Sequence, residues 1–179
     1  MVIRMSDKRI KNIKVIAMDV DGTLTDGAIY IGKDGEMMKA FDVKDGLGIS
    51  LLNRSGIITS IITGRTSQIV QKRADELKIT KVMQGISKKD EALQHLADEC
   101  CVKLENIAYI GDDLNDLPAL LNAGLAVCPA DSADMVKEKC DVVLRHSGGH
   151  GAIRELAELI LKEQGKLEQV LEDLYGLHQ

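Results

Sequence analysis

The chain has 179 residues, a formal net charge of −5 and ordinary globular proportions, with 45% hydrophobic and 28% charged residues, enough for one domain with a sizeable core. The acidic balance argues against a nucleic-acid partner, and an aromatic content of 2% leaves little to stack on single strands. No apolar run approaches a membrane span, MVIRMSDKRIKN at the N-terminus lacks an apolar export segment, and the four cysteines follow no metal-finger spacing; a cytoplasmic protein with reduced thiols is expected, starting at Met1 or Met5.

In chain order, apolar β-branched runs at IKVIAM (13–18), IITSIIT (57–63), IAYI (107–110), LAV (125–127) and DVVL (141–144) read as short strands buried on both faces. Helical patterns alternate with them near 45–55, 66–77, 88–102, 113–122, 132–138 and 150–164. This alternation predicts an α/β fold, a doubly wound, Rossmann-like and mostly parallel sheet over a single domain at 1–179. GAIYIGKDGEMMKAF (27–41) interrupts it and reads as a β-hairpin turning at KDG (33–35). Ile29, Ile31, Met37 and Phe41 on its arms need something to pack on, either this domain or another chain. The tail at 165–179 is amphipathic through Leu167, Val170, Leu171 and Leu174, and suits either its own domain or a neighbouring subunit.

VIAMDVDGTLTDG (15–27) ends an apolar run in three carboxylates, Asp19, Asp21 and Asp26. In doubly wound sheets ligands bind at the carboxyl ends of the strands, where Asp19 and Asp21 are expected. A lone pair of turn aspartates would signify only a capped turn. Here Thr63, Gly64 and Arg65 stand at a second strand end, and Gly111, Asp112, Asp113 and Asp116 at a third. Acids converging from two strand ends repel unless a cation lies between them, so Asp19, Asp21 and Asp112 suggest a hard-oxygen site for Mg²⁺. Such an ion suits a substrate phosphate, and an aspartate can accept the phosphoryl group. A second carboxyl two residues on can protonate the leaving oxygen and then activate water. The Thr63 hydroxyl can hold phosphate oxygens, and Lys88 or Lys89, at a helix start, can offset the developing charge. Asp116 either joins this set or braces the following helix. His95 reads as a surface residue, Met37 and Met38 as packing residues, and nothing near His146 or His150 has zinc spacing.

MDVDGTLTDG, ITGR, the QGISKK lysine and GDDLND are similar, in this order, to the four motifs of the haloacid dehalogenase superfamily. The likeness spans about Lys14 to Leu174 and leaves no room for a large cap. FDVKDGLGISLL (41–52), QGISKK (84–89), GGHGAIRE (148–155) and QGKLE (164–168) resemble the phosphatases of 3-deoxy-D-manno-octulosonate 8-phosphate (Kdo-8-phosphate). The resemblance implies Mg²⁺-dependent hydrolysis of that sugar-acid phosphate in lipopolysaccharide synthesis. It implies Asp19 as nucleophile and metal ligand, Asp21 as general acid/base with its main-chain carbonyl on the metal, and Thr63 and Lys89 on the phosphoryl group. Asp112 would complete the metal site, with Asp113 in support. It further implies a homotetramer in which a neighbour's hairpin or tail closes each site. Lys44 and His150 stand where the family commonly carries Arg, and Arg grips a carboxylate bidentately where Lys does not. Lys44 and Arg65 remain candidates for binding the sugar carboxylate. Two alternatives stay open: an N-acylneuraminate 9-phosphate phosphatase, and a non-catalytic tetramerising module.

Overall fold

The computed structural model describes residues 9–176; the choice between Met1 and Met5, and the last three residues of the tail, lie outside them. The elements run β1 (Val15–Met18), β2 (Tyr30–Gly32), β3 (Gly35–Met38), α1 (Val43–Arg54), β4 (Ile58–Ile62), α2 (Gln68–Leu77), β5 (Lys81–Met83) and α3 (Lys89–Glu99). They continue through β6 (Ile107–Ile110), α4 (Leu117–Asn122), β7 (Leu125–Cys128), α5 (Asp134–Lys139), β8 (Val142–Val143), α6 (Ala152–Glu163) and α7 (Leu167–Tyr175).

Six strands form one sheet in the order β5-β4-β1-β6-β7-β8, and every pairing in it is parallel. β1 is central, with Val15 opposite both Ile58 and Ile107. Its four residues are all buried because side chains alternate between two covered faces. Ile16 and Met18 pack among Ile49, Leu52, Ile153, Leu156 and Ile160 from α1 and α6. Val15 and Ala17 point the other way, into Leu93, Leu96 and Leu120 from α3 and α4. Each fully buried Leu or Ile contributes about 1.5–3 kcal/mol of transfer free energy, so the central sheet is held from both faces.

The pattern differs from the expected one in three places, and one open choice is decided. β5 has no counterpart among the expected strands, because its three residues are half-exposed at the sheet edge and begin with a lysine. The helix expected at 113–122 opens as a 3-10 turn at Leu114–Asp116 and becomes α4 only at Leu117, with Pro118 in its first turn. The pattern at 88–102 yields a helix ending at Glu99, where Cys101 follows with φ of +53°. The tail folds back: Val170 is buried, and Leu167, Leu171 and Leu174 pack on the core of this same chain.

The hairpin forms a separate two-stranded sheet with a register irregularity between Tyr30 and Ile31. Phe41 packs on the core beneath the Arg73 guanidinium, 5.7 Å from the ring centre. Ile31 and Met37 stay 73% and 66% exposed. The four cysteines are free thiols. No helix among the described residues is long and apolar enough to cross a membrane.

Candidate active site

Asp19 is the first residue after β1, and its N–H donates to the Ile110 carbonyl at 3.0 Å. Thr63 follows β4 directly, donates its N–H to the Met83 carbonyl at 3.0 Å and is buried. Asp112 lies two residues past β6. The three therefore stand at the carboxyl ends of neighbouring central strands, where the sheet opens toward a ligand. Gly22, at φ of +95°, turns the chain beneath Asp112, and a Cβ there would lie 2.1 Å from Asp112 Oδ2. Thr23 Oγ1 donates to Asp112 Oδ1 at 2.8 Å.

Lys89 opens α3 and turns inward, while Lys88 stays exposed and pairs with Glu91. Lys89 Nζ lies 2.8 Å from Asp19 Oδ1 and 2.6 Å from Asp116 Oδ1. Asp116 is completely buried. Its Oδ1 also accepts from the Tyr109 hydroxyl at 2.7 Å, and its Oδ2 accepts from the N–H groups of Asp112 and Asp113 at 3.0 and 3.2 Å. It braces the 3-10 turn and the lysine together. Asp113 itself is exposed and accepts from the Leu114 N–H at 2.8 Å, a capping contact.

Carboxylate oxygens of Asp19, Asp112 and Asp116 all lie within 4.8 Å of one another. The Asp21 carboxylate is not in this group; it pairs with Lys39 and faces Arg65. Asp116 is already engaged by four donors, which leaves Asp19 and Asp112 to offer oxygen to a cation. Burial, helped by the Asp116 charge, raises the Asp19 carboxyl to about 6. Burial raises Asp112 to about 7, with Asp19 and Asp116 adding to it against the Thr23 hydrogen bond. Burial works against the charge on Lys89, yet Asp19 and Asp116 hold its pKa above the usual value. One lysine faces three carboxyls, a shortage of positive charge that a divalent ion on Asp19 and Asp112 fits.

Both carboxyls titrate higher in the fold than at the ordinary value of 3.8, so the native state holds more protons than the unfolded one. Without metal, stability is lost as pH rises from about 4 to about 7. Mg²⁺ is expected to raise the melting temperature more at pH 8 than at pH 5. Thermal melts in EDTA and in Mg²⁺ at both pH values check this, and an equal or larger shift at pH 5 overturns it.

Asp21 sits in a second set of charges. Lys39, at the foot of the hairpin, is buried and binds Asp21 Oδ1, and its Nζ is 3.0 Å from Glu36 Oε1. Burial opposes the Lys39 charge, but these two carboxylates outweigh it and raise its pKa. Ser67, the N-cap of α2, donates to Glu36. Arg65 Nε approaches Asp21 Oδ2 at 3.8 Å. Lys44 is elsewhere: it lines a cavity with Arg154, and none of Asp19, Asp21, Thr63, Lys89 and Asp112 lines that cavity. The two candidates for the sugar carboxylate thus occupy different surroundings. Lys39 was missed in the sequence, where a lysine at the end of a hairpin arm looks like a solvated residue.

A sheet of this order with aspartates and a threonine at its central strand ends defines a haloacid dehalogenase-like hydrolase, and the family model of that description matches residues 75–156. The chain is 44% identical over 161 residues to the 3-deoxy-D-manno-octulosonate 8-phosphate phosphatase KdsC of Escherichia coli, covering 90% of this chain and 86% of that protein. The Moraxella catarrhalis phosphatase of the same name, solved with magnesium, phosphate and KDO, matches with TM-score 0.90 and 42% identity, over 93% of this chain and 96% of that one. The cobalt-bound Haemophilus influenzae phosphatase matches with TM-score 0.87 and 41% identity, over 89% and 93%. The chain belongs to the family of 3-deoxy-D-manno-octulosonate 8-phosphate phosphatases.

Proposed function

We propose that the chain is a Mg²⁺-dependent phosphomonoesterase that hydrolyses Kdo-8-phosphate to Kdo and inorganic phosphate, in the cytoplasm and for lipopolysaccharide synthesis. The observation that carries this reading is the meeting of Asp19, Lys89, Asp116 and Asp112 at the ends of β1 and β6; the identity to named Kdo-8-phosphate phosphatases supports the substrate. Asp19 Oδ attacks phosphorus, the bond to the sugar oxygen breaks, and Asp21 gives that oxygen its proton. Asp21 then takes a proton from water, whose oxygen attacks the aspartyl-phosphate and frees phosphate and Asp19. Thr63 donates its hydroxyl to the phosphoryl oxygens and Lys89 balances their charge. Asp19, Asp112 and the main-chain carbonyl of Asp21 would hold Mg²⁺, with Asp113 in a supporting role. When bound, the ion neutralises the repulsion between nucleophile and phosphate.

Asp21→Asn is expected to slow both half-reactions by about 10²–10⁴-fold. Rapid-quench measurement checks it, and a phosphoenzyme burst with unimpaired phosphate release would count against the role. The reading as a whole is tested by phosphate release from Kdo-8-phosphate, N-acylneuraminate 9-phosphate and hexose phosphates side by side. Preference for the first supports it; preference for the nine-carbon acid moves the protein to another pathway, and no release from any revives the assembly-module reading.

The domain at 1–179 is proposed to assemble as a homotetramer through the hairpin at 27–41, whose exposed Ile31, Met37 and Met38 supply an apolar surface for a second copy. Light scattering on the purified chain tests this. A monomer at micromolar concentration overturns it.

A further inference from the structure

A cavity of about 540 Å³ lies between the start of α1 and the exposed flank of α6. That volume is within the range of small-molecule sites. The turn at Gly148–Gly149 separates it from the catalytic loop. A Cβ at Gly148 would lie 1.8 Å from the Gly22 carbonyl oxygen, and one at Gly149 would lie 2.5 Å from the Asp26 nitrogen. Backbone packed this tightly forms a wall between the two spaces.

The cavity is rich in positive charge on a chain that is acidic as a whole. Lys44, Arg145, Arg154 and Lys162 face only Glu155 and Glu158, and His146 and His150 add two imidazoles. Both carboxylates are already engaged. Glu155 accepts from the N–H groups of Arg145 and His146 at 2.9 and 3.1 Å, from Arg145 Nε at 2.9 Å, and meets His146 Nδ1 at 2.8 Å. Glu158 accepts from Arg154 Nε at 2.7 Å and from Lys162 Nζ at 3.4 Å. Each arginine spends its Nε on these acids, which leaves the paired Nη edge to grip an anion bidentately. The Lys44 ammonium forms no ion pair among the described residues. Cations gathered along one concave surface add their fields on an anionic ligand. Leu159 supplies an apolar wall beside them.

We infer that this cavity is a second anion site, separate from the catalytic cluster, that takes a small molecule carrying a diphosphate group. Inorganic pyrophosphate and a nucleoside diphosphate present the same group. The second would also use the Leu159 wall and the remaining volume. The inference does not depend on the proposed phosphatase reaction.

The test is calorimetric titration of the full chain in EDTA with pyrophosphate and, separately, with ADP. Without metal the catalytic cluster is net acidic and repels both. Saturable binding of one molecule per chain is expected, weakened at least about tenfold, or 1.4 kcal/mol, in an Arg154→Gln, Lys162→Gln double variant. Tighter binding of ADP assigns the site to nucleoside diphosphates, and tighter or equal binding of pyrophosphate assigns it to the inorganic ion. In the double variant kcat and KM of phosphate release are expected to stay unchanged. The exposed Lys162→Gln alone, with several-fold weaker binding, serves if the double variant melts early. Absence of saturable binding, binding indifferent to the substitutions, or a KM raised by the same factor would each overturn the inference, the last by making the cavity part of the substrate site.

Discussion

Asp19→Asn is expected to abolish turnover, lowering kcat by roughly 10⁴-fold or more, because an amide cannot accept the phosphoryl group from the ester. Steady-state phosphate release in saturating Mg²⁺ checks it, and the mechanism falls if the variant keeps most of its activity. The same substitution carries a second expectation of opposite character. Asp19 is buried beside Asp116, and its carboxyl is raised to about 6. A neutral side chain of the same shape relieves that repulsion. In EDTA at pH 8 the variant should therefore melt no lower than the parent chain. An inactive variant that is also unfolded would show only damage; an inactive variant of parental or higher stability isolates the nucleophile.

Lys89→Met is expected to be lethal for activity and costly for the fold. The lysine side chain is only 2% exposed and touches Asp19 and Asp116 at 2.8 and 2.6 Å. Removing one partner of a buried charge network typically costs about 3–5 kcal/mol, since the remaining charges are left uncompensated. The carboxyls can escape by taking up protons, so the penalty should be largest above pH 7 and smaller at pH 5. Urea unfolding at the two pH values measures this. Adding Asp19→Asn should recover part of the lost stability and none of the activity, a coupling that a double-mutant cycle reads directly. Equal destabilisation at both pH values would show that Lys89 acts through packing alone.

Much of the fold was legible because a parallel strand covered on both faces needs a nearly continuous apolar run; β1 and β6 have one, and β4 is interrupted only by the small Thr59 and Ser60. The site residues at the ends of those runs were legible for the same reason. β5 was not, since an edge strand of three half-exposed residues leaves no period to detect. The place of Asp116 was also hidden. Its partners Tyr109 and Lys89 are 7 and 27 positions away, and nothing local says that all three side chains turn into one pocket. Lys39 reaches Asp21 only because the hairpin folds back, which depends on tertiary packing rather than on the composition of its arms. The direction of the tail was open in the sequence because an amphipathic helix does not say whose groove it fills; in this chain it fills its own.

The wall between the catalytic loop and the basic cavity joins residues near 22 to residues near 148. That close approach has a consequence for the order of events during synthesis. A nascent chain already holds Asp19, Thr63, Lys89 and Asp112 when residue 112 has emerged. β1 can then pair on both sides, since Ile58–Ile61 and Ile107–Ile110 are in hand. The loop that carries the nucleophile meets Ile110 and Asp112 on one side, but its other side stays open until Gly148 and Gly149 arrive and α6 docks on α1. Contacts this distant in sequence close slowly and late. The reactive parts are therefore made early and locked last, and a ribosome paused between them would carry a sheet without a working enzyme.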